Sequence, residues 1–391
     1  MTGVWLSKVN DIQLIDFPPL ILPSIPTPCR QGWSDLPVDI AAAIADRLTE
    51  VADLARFRSV CPSWRSASSA HAARRRAPLL LLPTQYHCTV ISRRAWSLAD
   101  GSLAEVQLPA ARGRSFLFAS NHGWTLAVSG RDLSATLVHP FTGASSDLLA
   151  LSFCHGDHRE AVLRELAWEW SPHGVLVSPR KGAFFCRPGD GSWRPVGCSS
   201  ASISSITYCD GVFYLFDGKT CKAPVVDAET LAVAAVIEPP ALEIPSSDFE
   251  TSLVVSPDEL LLLVKSWSWE RRHGRFVKAF RADRLPPAGG RNPSWSQVGD
   301  IGERAVFVDH LRAFCVEANG LNGVRSNCTY LASSHEQVIN DYYGVDVCRM
   351  YTVSVLDCSD PAQENLGHES LLNVEGSTFW QCPSWLLPNP H

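Results

Sequence analysis

The chain has 391 residues, 46% of them hydrophobic and 19% charged, with a formal net charge of −6 and a mean hydropathy near zero. That is ample apolar material for one or two large cores, which excludes an intrinsically disordered chain. The mildly acidic balance supplies no field to gather nucleic acid or an anionic membrane, so neither is an expected partner.

Thirteen cysteines are an odd number and form no C-x-x-C pair, so neither a disulfide framework nor a zinc ribbon is signalled. Reduced, mostly buried thiols are the simpler reading, and with them a place in the cytoplasm or nucleus. Residues 1–30 carry the apolar stretch "LIDFPPLILPSIPTPC", broken by Pro18, Pro19, Pro23, Pro26 and Pro28 at a density that a membrane helix or a signal-peptide core does not tolerate. The expectation there is a Pro-rich, disordered leader.

From 31 to 76 the period is helical. Leu36, Ile40, Ile44 and Leu48 recur at steps of four, with Pro37 where a first turn accepts proline and Asp39 complementing the helix N-terminus. Asp53 is the expected N-cap of a second helix in which Leu54, Phe57, Arg58 and Cys61 share a face, with Val60 beside them. Pro62 ends that helix, and Trp64 and Arg65 open a third through "SWRSASSAHAARRR". Three short helices of this size, near the ~40-residue limit for independent folding, do not bury all these side chains among themselves. Part of the apolar surface must meet another surface.

The run "LPVDIAAAIADRLTEVADLARFRSVCPSWRSAS" resembles the F-box motif: its Leu-Pro start, its Ile and Leu helix positions, its Asp-Leu turn, its Phe-Arg-x-Val-Cys segment and its Trp-Arg end agree in order and spacing. The resemblance implies docking on a Skp-type adaptor, and through it on the cullin and RING subunits of a ubiquitin ligase. By position it implies Leu36, Pro37, Ile40, Ile44, Leu48, Leu54, Val60, Cys61 and Trp64 as adaptor-facing or supporting residues. The bland reading of the same stripe is packing on the downstream domain, and Trp64 is either a binding anchor or part of the unit's own core.

Beyond Pro78 the pattern is short apolar runs, such as "SFLFAS", "TLAVSG", "GVFYLFD" and "AVFVDH", separated by Gly, Pro, Asp and Asn: strands joined by tight turns. "GSWRPV" around Trp193 and "PSWSQV" around Trp295 are an internal echo, as a radially repeated sheet requires. Roughly 310 residues at about 45–50 per blade allow about six blades, with a β-sandwich pair as the competing architecture. The fragments "HPFTG", "YCDGVFYLFD", "SWSQVGDIGERAVFVDH", "NCTYLASS" and "YTVSVLDCSD", with the Trp193 turn, resemble the KIB-type β-propeller that follows the F-box in a large plant family. That resemblance implies a substrate receptor whose β-domain recruits a protein target.

No motif of catalysis stands out. "DGKT" at Asp217–Thr220 ends like a phosphate loop, but Phe213 stands where the first glycine is required. Cys154, His155, Asp157 and His158 are all of metal-ligand type, but adjacent ligands in a short loop seldom reach one tetrahedral centre and a solvated turn is the favoured reading; no G-x-S-x-G, H-E-x-x-H or dinucleotide fingerprint occurs. Asn327-Cys328-Thr329 fits the glycosylation pattern and is expected to be silent. Trp267 and Trp269 alternate on one strand face with Arg271 and Arg272 behind them, either a target-binding rim or core tryptophans beside a solvated hairpin tip. Arg74, Arg75 and Arg76 are a weak nuclear signal or a solvated helix end.

The fold expected is therefore an α+β multidomain chain: the leader (1–30), a three-helix F-box (31–76) and a large all-β domain, a propeller of about six blades (77–391). The expected function is binding, with no catalytic residue, metal or cofactor. An F-box scaffold that delivers no substrate, and a propeller that binds glycans or small molecules or acts as an enzyme, stay open as alternatives.

Overall fold

The computed structural model describes residues 35–48 and 51–68 and, from 77 to 387, the strands given below with the turns that adjoin them. The leader at 1–30, the Arg74–Arg76 triplet, Cys154–His158, and Trp267, Trp269, Arg271 and Arg272 lie outside the described residues.

Three helices, α1 (Val38–Ala45), α2 (Val51–Ser59) and α3 (Pro62–Ala67), form the N-terminal unit. Pro37 precedes α1, and Asp39 places a carboxylate in its first turn, where the helix dipole favours it. Asp53 is not the N-cap of the second helix: α2 starts two residues earlier, at Val51, and Asp53 sits in the first turn, paired with Arg56 at 2.8 Å. Pro62 opens α3 rather than merely ending α2, because the first helical position has no use for the N–H that proline lacks.

From Leu79 onward, apart from helical residues at Val162 and Leu163, the elements among the described residues are strands, arranged in six sheets. The first sheet holds β1 (Leu79–Leu81), β2 (Ser92–Ser97) and β3 (Ser102–Gln107). The second holds β4 (Phe116–Ala119), β5 (Thr125–Val128), β6 (Ala135–Val138) and β7 (Ser145–Leu148), and the third β8 (Ala167–Ser171), β9 (Gly174–Ser178), β10 (Ala183–Cys186) and β11 (Arg194–Val196). The fourth is β12 (Ile203–Cys209), β13 (Val212–Asp217), β14 (Ala223–Asp227) and β15 (Val233–Ile237). The fifth is β16 (Phe249–Val255), β17 (Glu259–Ser266), β18 (Val277–Asp283) and β19 (Ser296–Val298). The sixth has β20 (Arg304–Val308), β21 (Ala313–Glu317), β22 (Cys328–Ile339), β23 (Tyr343–Ser354) and β24 (Ser370–Leu372). Last comes β25 (Ser384–Leu386), which returns to pair antiparallel with β1 and so completes the first sheet.

These sheets are the blades of a propeller, and the cores show it. Each of six apolar clusters draws on two neighbouring blades, and together they close a ring: first with second, second with third, and so on until Leu80 and Trp385 of the first meet Phe307 and Tyr330 of the sixth. Strand β13 explains the unbroken apolar run "VFYLFD". Its alternate residues Phe213 and Leu215 pack toward the third blade while Val212, Tyr214 and Phe216 pack toward the fifth, so both faces are buried. Asp210 and Gly211, both at positive φ (46° and 84°), make the two-residue turn that joins β12 to β13.

A repeat runs through the blades. The third strand carries a buried alanine opposite an aliphatic residue of the outer strand: Ala135 faces Leu148, Ala183 faces Val196, Ala223 faces Ile237 and Ala279 faces Val298. Trp193 and Trp295 occupy equivalent positions just ahead of the outer strands β11 and β19. Each indole donates to a carbonyl of the connection entering its blade, Trp193 to Ala150 at 3.0 Å and Trp295 to Glu238 at 2.9 Å.

The sixth blade breaks the pattern. β20 and β22 run parallel, and β21 is the strand that lies against β16, so the hairpin β20–β21 places its second strand innermost. Beyond Leu331, β22 continues in register with β23 as far as the Ile339–Tyr343 pair, well past the last residue of β20.

Candidate functional site

The helical unit has a small interior. Ala41, Ala45, Leu54 and Phe57 are buried together, and Leu36, Leu48, Trp64 and Ala67 are half-buried around them. Alanine on the inner face of α1 lets the helices approach, and that turns the two isoleucines outward: Ile40 is 46% and Ile44 38% exposed. The Leu36–Ile40–Ile44–Leu48 stripe, expected as one face, is therefore divided. Its ends support the core and its middle faces solvent.

Each residue of the helical unit singled out from the sequence has a definite place. Pro37, Ile40, Ile44 and Val60 are exposed, Leu54 is buried, and Leu36, Leu48, Cys61 and Trp64 lie between. Trp64 stacks on Phe57 with ring centroids 4.5 Å apart, so its indole props the core while keeping an outer edge. Val38, at 66% exposure, joins the outward group; the sequence reading passed over it because it lies off the four-residue step. Of the seven large hydrophobic side chains exposed among the described residues, Val38, Ile40, Ile44 and Val60 belong to this unit. Four of the seven thus fall within this short helical unit.

Arg58 holds the arrangement. Its guanidinium is buried and donates from Nη1 to the carbonyl of Arg65 at 3.0 Å and to Ser68 Oγ at 3.1 Å, tying α2 to α3. Burial, and then the nearby Arg65 charge, lower the pKa of Arg58 from its usual value.

In the propeller, the Asp217–Thr220 turn uses its own amides. Lys219 N and Thr220 N donate to Asp217 Oδ1 at 2.9 and 3.2 Å, and Gly218 N donates to Ser204 Oγ at 3.0 Å. The donors that a phosphate needs are already engaged. Asn327 Oδ1 accepts from Ile301 N at 3.1 Å and Thr329 is fully buried, so the glycosylation triplet is built into the core edge. Among the described residues there is no cluster of three or more His, Cys, Asp or Glu that could hold a metal, and no helix long and apolar enough to cross a membrane.

Comparison with known proteins matches residues 33–76 to the family described as F-box-like and residues 95–357 to the family described as KIB1-4 beta-propeller. A stretch of 37 residues is 54% identical to an F-box protein of Arabidopsis thaliana, covering 10% of this chain and 9% of the relative. F-box and β-propeller families are typically non-catalytic adaptors or receptors.

Proposed function

Because the chain belongs to the KIB1-4 β-propeller family and carries an F-box-like unit ahead of the propeller, we propose that it is the non-catalytic substrate receptor of a Skp–cullin–F-box ubiquitin ligase. The helical unit docks a Skp-type adaptor, which brings the cullin and RING subunits, and the propeller holds a protein target. The thioester chemistry belongs to the partners. The receptor contributes proximity, turning a bimolecular encounter between target and charged conjugating enzyme into one at high effective concentration. A cytoplasmic or nuclear setting is part of the proposal.

One observation carries the reading: Pro37, Val38, Ile40, Ile44 and Val60 are all exposed on a helical unit whose interior, Ala41, Ala45, Leu54 and Phe57, is built without them. The test is co-purification of the full chain with a Skp-type adaptor, beside an Ile40→Ser, Ile44→Ser variant whose fold is checked by circular dichroism. Buried interface anchors cost about 2 kcal/mol on truncation, so affinity is expected to fall by about thirtyfold or more. A folded variant that binds as well as the wild type removes the proposed docking face.

A further inference from the structure

The long strands of the sixth blade outgrow the blade. β22 and β23 hold 12 residues each and pair without a register shift from Cys328 opposite Ser354 to Ile339 opposite Tyr343. On its other side β22 is paired only as far as Leu331, which lies beside Val308; there β20 ends and the chain turns off through Asp309 and Arg312 into β21. The stretch from Ala332 to Ile339 therefore has a partner strand on one side alone among the described residues. At about 3.3 Å per residue it is a free edge of roughly 26 Å.

Free edges pair with other chains, and folded proteins blunt them with short strands, prolines and bulges. The propeller does so elsewhere. The outer strands β3, β7, β11, β15, β19 and β24 are 3 to 6 residues long, β11 contains Pro195, and β15 is bulged against β14 at Val225 and Val226. From Ala332 to Ile339 there is neither proline nor bulge. The charge of the ribbon is one-sided as well: from 326 to 348 the sequence has Glu336, Asp341 and Asp346 and, His335 aside, no basic residue. The register sets Glu336 directly opposite Asp346, and like charges so placed weaken a strand pair. A two-stranded ribbon is marginal by itself in water, and a third strand stabilises it.

We propose that this edge is a docking site for an extended, lysine- or arginine-bearing segment of another protein, added to the sheet as a strand in the place that β20 vacates beyond Val308. The proposal rests on the receptor reading and deepens it, naming where a target is held and which chemistry is read. Main-chain hydrogen bonds along the edge give affinity, and basic side chains at alternate positions of the added strand offset the Glu336 and Asp346 charges. A second copy of the chain would bring a second such pair of carboxylates beside the first, so charge selects against self-pairing.

The experiment titrates the full chain into a fluorescein-labelled heptapeptide, Thr-Lys-Val-Lys-Val-Lys-Thr, read by fluorescence anisotropy. Binding is expected, with a loss of about tenfold or more when glutamate replaces the lysines. A similar loss is expected when alternate peptide nitrogens are methylated, which removes the N–H donors of one strand edge and keeps the charge. Glu336→Lys, Asp346→Lys, its fold checked by circular dichroism, is expected to reverse the preference from the basic to the acidic peptide; the methylation comparison needs no variant. Absence of binding overturns the proposal. So does binding indifferent to methylation, which is charge attraction without strand addition, and so does a preference unchanged in the reversed variant, which places the peptide elsewhere. A peptide-free chain that sediments as a dimer and excludes the peptide makes a second copy the occupant and overturns it too. None of these readouts involves the adaptor, so failure to co-purify with it overturns the ligase reading alone.

Discussion

Arg58 and Arg65 each donate to the other's main-chain carbonyl: Arg58 Nη1 reaches Arg65 O at 3.0 Å, and Arg65 Nε reaches Arg58 O at 3.3 Å. The exchange binds the end of α2 to α3 at the positions that the Phe-Arg and Trp-Arg pairs occupy in the sequence. Hydrogen bonds from charged donors are worth about 1.5–3 kcal/mol each, and these two are partly buried. Arg58→Ala is therefore expected to loosen α3, read as hydrogen exchange of the Arg65 and Ser68 amides at least tenfold faster than in the wild type. Protection that is unchanged in that variant shows the carbonyls find other partners and the staple is ornamental.

The helical unit was legible because a dozen positions agree in order and spacing, but its inside and outside were not. The sequence offers Ile40 and Ile44 as adaptor-facing or supporting residues without separating the two, and only the packing shows that close helix approach gives the inward place to Ala41 and Ala45. In the propeller, the Ser-Trp-x-x-Val echo at Trp193 and Trp295 was readable because tryptophan is rare and its spacing to valine is kept. The alanine of each third strand was not, since one alanine carries no signal until its register with the outer strand is known. Least legible were β25, three residues paired with a strand some 300 positions earlier, and the parallel β20–β22 pair, because neither non-local pairing leaves a periodic trace.

The Trp193 and Trp295 indoles do the same work in two blades, so their loss is expected to cost similar amounts. Replacing either by phenylalanine keeps a ring and removes one hydrogen bond, a change of about 0.5–1.5 kcal/mol. Urea denaturation is expected to show comparable midpoint shifts for both variants with unchanged slopes. A large effect for one and none for the other contradicts their structural equivalence.

Two turn carboxylates are expected to contribute to the loss of stability in acid. Asp132 is held below the usual carboxylate range by the Ser129 and Ser134 hydroxyls, and Asp227 by the Thr230 amide and hydroxyl. A carboxyl with a depressed folded pKa contributes stability that is present above its unfolded pKa, about 3.9, and is lost as pH falls through the folded value. Asp132→Asn, Asp227→Asn is expected to flatten the loss of stability below pH 4 while changing it little in shape between pH 6 and 8, measured by thermal unfolding across pH. A variant that keeps the full wild-type acid slope assigns that slope to other carboxylates.

Closure of the ring depends on a buried ion pair. Arg312 Nη2 meets Asp309 Oδ2 at 3.0 Å, with both side chains under 5% exposed, at the turn between β20 and β21. The pair reaches across to the final strand: Arg312 donates to Trp385 O and to Ser384 Oγ, and Trp385 N donates to Asp309 Oδ2 at 3.0 Å. The Trp385 indole donates to Val308 O at 3.1 Å while its ring packs edge-on against Phe307. A strand of three residues has too few ladder bonds to hold itself, so these contacts supply the anchorage that joins last blade to first. Removing one partner of a buried pair costs up to about 3–5 kcal/mol, and here the buried Lys265, whose charge also acts on Asp309, offsets part of the loss of Arg312. Arg312→Leu is expected to destabilise by no more than that amount and to expose the Trp385 amide to exchange before the rest of the propeller. Asp309→Asn combined with Arg312→Leu is expected to cost less than the two single changes added together, because no lone charge remains. Additive losses, or a Trp385 amide that exchanges only with global unfolding, show that the ladder to β1 and the Trp385 ring close the propeller without the ion pair.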